Sequence, residues 1–117
     1  MKKSGILNAK LMEAITSLGH LDAFVICDMG FPIPCGAEKI DLALVRGVPG
    51  FLLTFREILK EVVVEQAILM DKIGDANPDT HRTICALLKN QSIVYKSFSD
   101  FREACKDAKF FVRTGED

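Results

Sequence analysis

Two side chains able to move protons or hold hydroxyls flank one short apolar run. His20 comes shortly before residues 23–27 (Ala-Phe-Val-Ile-Cys), and Asp28 comes immediately after them. That β-branched stretch is of the kind that forms a buried strand. An imidazole, with an ordinary pKa of about 6.5, offers both protonation states around neutrality, as general acid–base chemistry requires. A carboxylate at the carboxyl end of a strand stands where open α/β sheets bind small molecules. Each residue also has a plainer use. A histidine just past a helix end interacts favourably with the helix dipole, and an aspartate ahead of glycine and proline closes a turn through its own backbone.

The other reactive types are less suggestive. His81 falls inside an expected helix and reads as solvated. Arg113 and Glu116, around Gly115, either face a ligand beyond the last strand or form an exposed ion pair, the second being the simpler reading. The Gly-Val-Pro-Gly segment at 47–50 is not a phosphate loop, because no Lys-Ser/Thr follows it. No spacing suggests a metal-binding histidine pair, a nucleophile elbow or a dinucleotide fingerprint. Cys27, Cys35, Cys85 and Cys105 contain no Cys-x-x-Cys pair, which argues against a zinc site and for free thiols in a reducing compartment. Cys27 and Cys85 lie in apolar stretches and read as small core residues.

The elements that must position these groups alternate. Residues 8–18 read as a helix, with Asn8 as N-cap, Leu11, Ile15 and Leu18 on one face, and Gly19 as terminator. The strand at 23–27 is followed by a loop over 28–38, where Pro32 and Pro34 forbid a central strand. Residues 40–44 alternate weakly as a second strand. Leu52, Phe55, Ile58 and Leu59 predict a helix over 51–60, and the valines that follow predict a strand over 62–70. Asn77-Pro78 starts a helix to about residue 89 that buries Ile84, Leu87 and Leu88. A strand at 92–95, a helix from the Ser97 cap to about 106, and a strand at 109–113 complete the chain. Strands alternating with helices imply an α/β fold: three layers, α/β/α, around a mostly parallel central sheet, in one domain spanning 1–117.

Bulk properties exclude several classes. Apolar residues make up 49 % and charged ones 26 %, so the chain has the makings of a packed core. A net charge of −1 gives no broad attraction to nucleic acid or anionic membrane. No apolar run reaches the ~20 residues of a membrane span. Ser4, Gly5, Asn8 and Lys10 break any signal core after the Met-Lys-Lys start, so a cytoplasmic location is expected.

Several motifs, in order and spread along the chain, resemble the D-ribose pyranase family, which includes the related fucose mutarotase. They are Gly-Ile-Leu-Asn at 5–8, Leu-Gly-His-Leu-Asp at 18–22, Cys-Asp-Met-Gly-Phe-Pro-Ile-Pro at 27–34 and Ile-Asp-Leu-Ala-Leu at 40–44. Gly-Val-Pro at 47–49 with Phe51, and Val-Arg-Thr-Gly-Glu at 112–116, follow. The resemblance implies a cytoplasmic isomerase that interconverts β-pyranose and β-furanose forms of D-ribose without a redox or metal cofactor. It implies rings, pentamers stacked into homodecamers, with sugar sites at subunit boundaries. By position, His20 is the expected proton donor and Asp28 the expected ligand to sugar hydroxyls.

Two departures accompany the likeness. In the segment where family members carry a histidine (arginine in the fucose branch), this chain has Ser97-Phe98-Ser99, and Phe98 offers no proton. The family also continues past Thr-Gly-Glu with a Tyr-x-Asn segment and a final strand, whereas this sequence stops at Asp117. They motivate a rival reading, a sugar-binding or assembly homologue with impaired catalysis. A third reading changes the sugar to L-fucose; the 28–34 loop and the 40–44 strand lean towards ribose.

Overall fold

The structure is a computed structural model describing residues 1–117. In chain order the elements are α1 (Ala9–Thr16), β1 (Val25–Cys27), β2 (Lys39–Asp41), α2 (Phe51–Leu59), β3 (Gln66–Met70), α3 (Ile73–Ala76), α4 (Pro78–Leu87), β4 (Ser92–Lys96), α5 (Phe98–Ala104) and β5 (Phe111–Arg113). They fall into two compact units. The first comprises Met1–Val62 with Asp107–Asp117, and the second Val63–Lys106. No helix is long and apolar enough to cross a membrane.

In the first unit, α1 starts where Asn8 Oδ1 accepts a hydrogen bond from the Leu11 amide at 2.8 Å. This satisfies a backbone donor that has no partner within the helix. Its buried residues, Leu11 and Ile15, sit one turn apart. The sheet of this unit has the order β1-β5-β2, with β5 parallel to both neighbours. Val25 and Lys39 flank Phe111, while Cys27 and Asp41 flank Arg113. Successive strand residues point to opposite faces, so the near-zero exposure of both Phe111 and Val112 shows that β5 is covered on both sides. The core joins Ile6, Leu11, Ile15, Ile40, Ile58, Phe110 and Val112, and Phe24 stacks on Phe110 at 5.0 Å between ring centres.

β2 is shorter than the apolar pattern at 40–44 suggests. The Asp41 carboxylate accepts the Ala43 amide at 3.2 Å, turning the chain away, and Val45 then bridges back to Val48. Local side-chain bonding of this kind competes with a ladder and here wins.

In the second unit, β3 and β4 pair in parallel from Gln66 opposite Ser92 to Met70 opposite Lys96, with α3 and α4 between them in sequence. The expected strand over 62–70 begins only at Gln66, because β4 supplies five partners and no more. Val62 packs against the core of the first unit instead, and Val63 is fully exposed. The short helix α3 carries no signature that separates it from a loop. Asn77 caps α4 as expected, accepting from the Thr80 amide at 3.3 Å, and Ser97 caps α5 by accepting from Asp100 at 3.1 Å. Two expectations about burial need correction. Ile84 and Leu88, four residues apart, are buried, but Leu87, the last residue of α4, is 39 % exposed. The second buried thiol is Cys105 rather than Cys85, and all four thiols are free.

The α/β class with parallel strands therefore holds. Its strands are distributed between a three-stranded and a two-stranded sheet rather than running through one central sheet.

Val112 and Leu87 give a direct check of this packing. Val112→Ala removes two buried methyl groups from the middle strand and should cost about 2–3 kcal/mol. Leu87→Ala should stay within about 0.5 kcal/mol of wild type. Urea unfolding of both variants measures the contrast.

Candidate functional site

His20 lies in a four-residue turn that follows α1. The Asp22 amide donates to the Gly19 carbonyl at 3.2 Å, and Asp22 Oδ2 accepts from the Gly19 amide at 2.8 Å, so the turn is closed twice. His20 and Leu21 are its central residues, and both are exposed. Leu21 adopts φ 71°, a left-handed conformation that costs a residue with a Cβ roughly 1–2 kcal/mol. The turn thus holds His20 on a tip that the sequence does not favour and that the Asp22 side chain stabilises.

Asp28 is the residue after β1 and sits, exposed, at the carboxyl end of the three-stranded sheet. Its Oδ1 accepts the Gly30 amide at 2.9 Å. The turn-closing use is therefore real, and it engages one oxygen only. A carboxylate has about four acceptor positions, so Oδ2 keeps its capacity for a ligand hydroxyl. In chain order the two candidate residues bracket β1, both in the first unit.

What fixes the Asp28 loop is the tetrapeptide Arg113 to Glu116. Thr114, wholly buried, donates from both its amide and its hydroxyl to the Cys27 carbonyl, at 3.0 and 2.9 Å. The Met29 amide donates to the Glu116 carbonyl at 2.8 Å, and Arg113 Nε donates to the Met29 carbonyl at 3.2 Å. Asp28 is thus bracketed by backbone bonds on either side. Gly115 exchanges bonds with the loop after β2, receiving the Gly47 amide at 2.6 Å and donating to Pro49 at 2.8 Å. A Cβ at Gly115 would stand 2.5 Å from the Val48 carbonyl oxygen, so only glycine fits. Glu116 Oε2 accepts the Phe51 amide at 3.1 Å. The N-cap of α2 is Gly50, which has no side chain to offer, so Glu116 caps the helix from 65 residues away and places negative charge at its positive end.

Arg113 and Glu116 do not pair with each other. Arg113 forks onto both oxygens of Asp41 at 3.0 Å, across neighbouring strands. Desolvation acts to raise the Asp41 carboxyl. The hydrogen bonds from Arg113 and the Ala43 amide, with the charges of Arg113 and Lys39, outweigh it and hold that carboxyl below its ordinary range. Asp41 at the carboxyl end of β2 and the bonding roles of Thr114 and Glu116 escaped the sequence reading. Weak alternation over 40–44 marked only a strand, and capping across 65 residues leaves no local signature.

One residue of the second unit also differs from expectation. His81 is half-buried rather than solvated, and its Nε2 lies 2.7 Å from the Tyr95 hydroxyl. Phe98 is the first residue of α5, about half exposed, with the Arg102 guanidinium 5.8 Å above its ring.

Comparison with known proteins identifies the family of the chain. The family described as the RbsD / FucU transport protein family matches residues 1–117. The D-ribose pyranase of Geobacillus thermodenitrificans is 44% identical over 116 residues, covering 99% of this chain and 88% of that protein. The D-ribose pyranase of Thermotoga petrophila is 43% identical over 121 residues, covering 100% and 90%. Among solved structures, Bacillus subtilis RbsD complexed with D-ribose superposes with a TM-score of 0.95 at 41% identity, over 100% of this chain and 89% of that one. The fucose mutarotase of Streptococcus pneumoniae, in complex with L-fucose, gives 0.71 at 26% identity, over 92% and 83%.

Two measurements check the scaffold. Gly115→Ala must push the Val48 backbone aside and should cost about 1–3 kcal/mol or more, read as a lowered melting temperature. Because the folded state holds Asp41 ionised more strongly than the unfolded chain does, its contribution is complete above a pH of about 4 and disappears as pH falls through the lowered value. The stability gap between wild type and Asp41→Asn should therefore narrow on acidification below that point, and narrow with salt at neutral pH because the pair is partly exposed.

Proposed function

The chain belongs to the RbsD / FucU transport protein family, and from that premise we propose that it is a sugar mutarotase interconverting the β-pyranose and β-furanose forms of D-ribose. The observation that carries this reading is the match along nearly the whole chain to D-ribose pyranases, together with the close superposition on a relative solved with D-ribose. The two units are read together as one domain of the family, because the family match runs unbroken through both.

His20 is the acid–base group and Asp28 the ligand to sugar hydroxyls. In the pyranose the bond from C1 to the ring oxygen breaks as that oxygen gains a proton and the anomeric hydroxyl loses one, leaving an open-chain aldehyde. The C4 hydroxyl then adds to C1, losing its proton while the carbonyl oxygen regains one, and the ring closes as a furanose. One imidazole that both gives and takes a proton serves each half, and such assistance is worth roughly 10²–10⁴-fold. Asp28, with Oδ1 already committed to Gly30, orients hydroxyls through its other oxygen, which shortens the proton path. The reaction is internal to the sugar and asks for no cofactor. A cytoplasmic location and assembly into pentamers stacked as decamers complete the reading, with a ring placing sites at subunit boundaries.

The superposition on the fucose mutarotase supports L-fucose as a second substrate to test. Phe98, in the segment where the family carries a histidine, supports the rival reading of a binding homologue with weakened catalysis.

Saturation-transfer NMR on ribose reports exchange between ring forms directly. Wild type should accelerate it; His20→Ala should lose about 10²-fold or more, and Asp28→Asn should chiefly raise the sugar concentration needed. Exchange at the buffer rate with wild type, accompanied by sugar-induced thermal protection, would favour the binding homologue. Fucose in a parallel sample discriminates the sugar, and native mass measures the ring.

A further inference from the structure

The second unit carries a cluster that sugar isomerisation does not use. His81 and Cys85 occupy positions i and i+4 of α4, one above the other on the same helix face. Tyr95, on the adjacent stretch of β4, brings its hydroxyl between them. The oxygen lies 2.7 Å from His81 Nε2 and 3.8 Å from Cys85 Sγ. The Tyr95 oxygen thus stands near two different donor atoms, a ring nitrogen and a thiol sulfur. Gly74 leaves room for the imidazole, since a Cβ there would stand 3.4 Å from Nδ1.

We propose that His81, Cys85 and Tyr95 form a surface binding site for a borderline-soft divalent cation such as Zn²⁺. The donor set is that of zinc, imidazole and thiolate being its preferred ligands. The spacing also fits. Around a tetrahedral ion with bonds of 2.0–2.3 Å, two donors stand roughly 3.3–3.6 Å apart, and the 2.7 and 3.8 Å from the Tyr95 oxygen to Nε2 and Sγ bracket that range. On binding, the Cys85 S–H bond breaks, its proton passes to solvent and the sulfur bonds the ion, while His81 Nε2 exchanges its hydrogen bond to Tyr95 for the metal. Tyr95 is 45 % exposed, and water takes the fourth position. A cation here would tie α4 to β4 across the parallel unit.

The probe is Co²⁺ added to the purified full chain under a phosphine reductant. Wild type should develop near-ultraviolet thiolate-to-cobalt absorption, displaced by Zn²⁺. Cys85→Ser should abolish that absorption, and His81→Ala should weaken binding at least about tenfold. Tyr95→Phe should weaken it less, and Cys35→Ser, which removes the exposed thiol, should leave it intact. Zn²⁺ should also raise the melting temperature of wild type and not that of His81→Ala, a reading that does not depend on how well Cys85→Ser folds. No absorption with wild type, absorption that survives in Cys85→Ser, or absorption lost in Cys35→Ser would each overturn the site.

Discussion

The first unit depends on β5 being the middle strand. Neither β1 nor β2 has the other for a neighbour; each pairs only with β5, so the ladder bonds of both run through three residues near the end of the chain. A strand paired on both edges and covered on both faces must be apolar throughout, and Phe111-Val112 meets that demand with almost no surface left exposed. Past the strand the same segment stops being apolar and becomes a set of connectors. Thr114 takes hold of the end of β1, Gly115 of the loop after β2, and Glu116 of both the Asp28 loop and the start of α2. Each connector satisfies backbone groups that a loop would otherwise leave to water.

This arrangement explains how an exposed aspartate can still be precisely held. Asp28 has no burial to define its position, yet the residues on each side of it are hydrogen-bonded to the segment that follows the middle strand. Flexibility is removed from the backbone while the side chain stays accessible, the combination that a ligand-orienting carboxylate needs. His20 is presented by the opposite strategy. Its turn is locally closed by Asp22 and holds Leu21 in a conformation that residues with a Cβ avoid, a local cost of the sort that concentrates where a side chain must point one way.

Much of this was legible in the sequence because the determinants are local. Asn8, Asn77 and Ser97 cap the helices they precede, and each side chain reaches only three residues. The parallel α/β class follows from alternation of strand and helix signals, and the family motifs mark the Asp28 loop and the 113–116 segment. What stayed hidden depends on distance in sequence. Arg113 finds Asp41 on a neighbouring strand rather than Glu116 beside it, because strand register, not proximity along the chain, decides which side chains meet. The 62–70 stretch promised a longer strand than the five partners of β4 allow. Leu87 was expected inside with Ile84 and Leu88, but it ends α4 and is 39 % exposed. The His81–Cys85 pair went unseen because neither residue type forms a motif with its own kind.

The division of the chain has a temporal side. The second unit is a continuous segment, whereas the first is split around it, and Cys27 meets Thr114 across 87 residues. On the ribosome, β1 and β2 emerge early and wait with open edges while the whole second unit is made. Contacts that span such a separation form late and slowly, and unpaired parallel strands invite association with other chains in the meantime. Vectorial synthesis therefore exposes this fold to its greatest aggregation hazard between the appearance of β2 and the release of β5, an interval that a chaperone would have to cover.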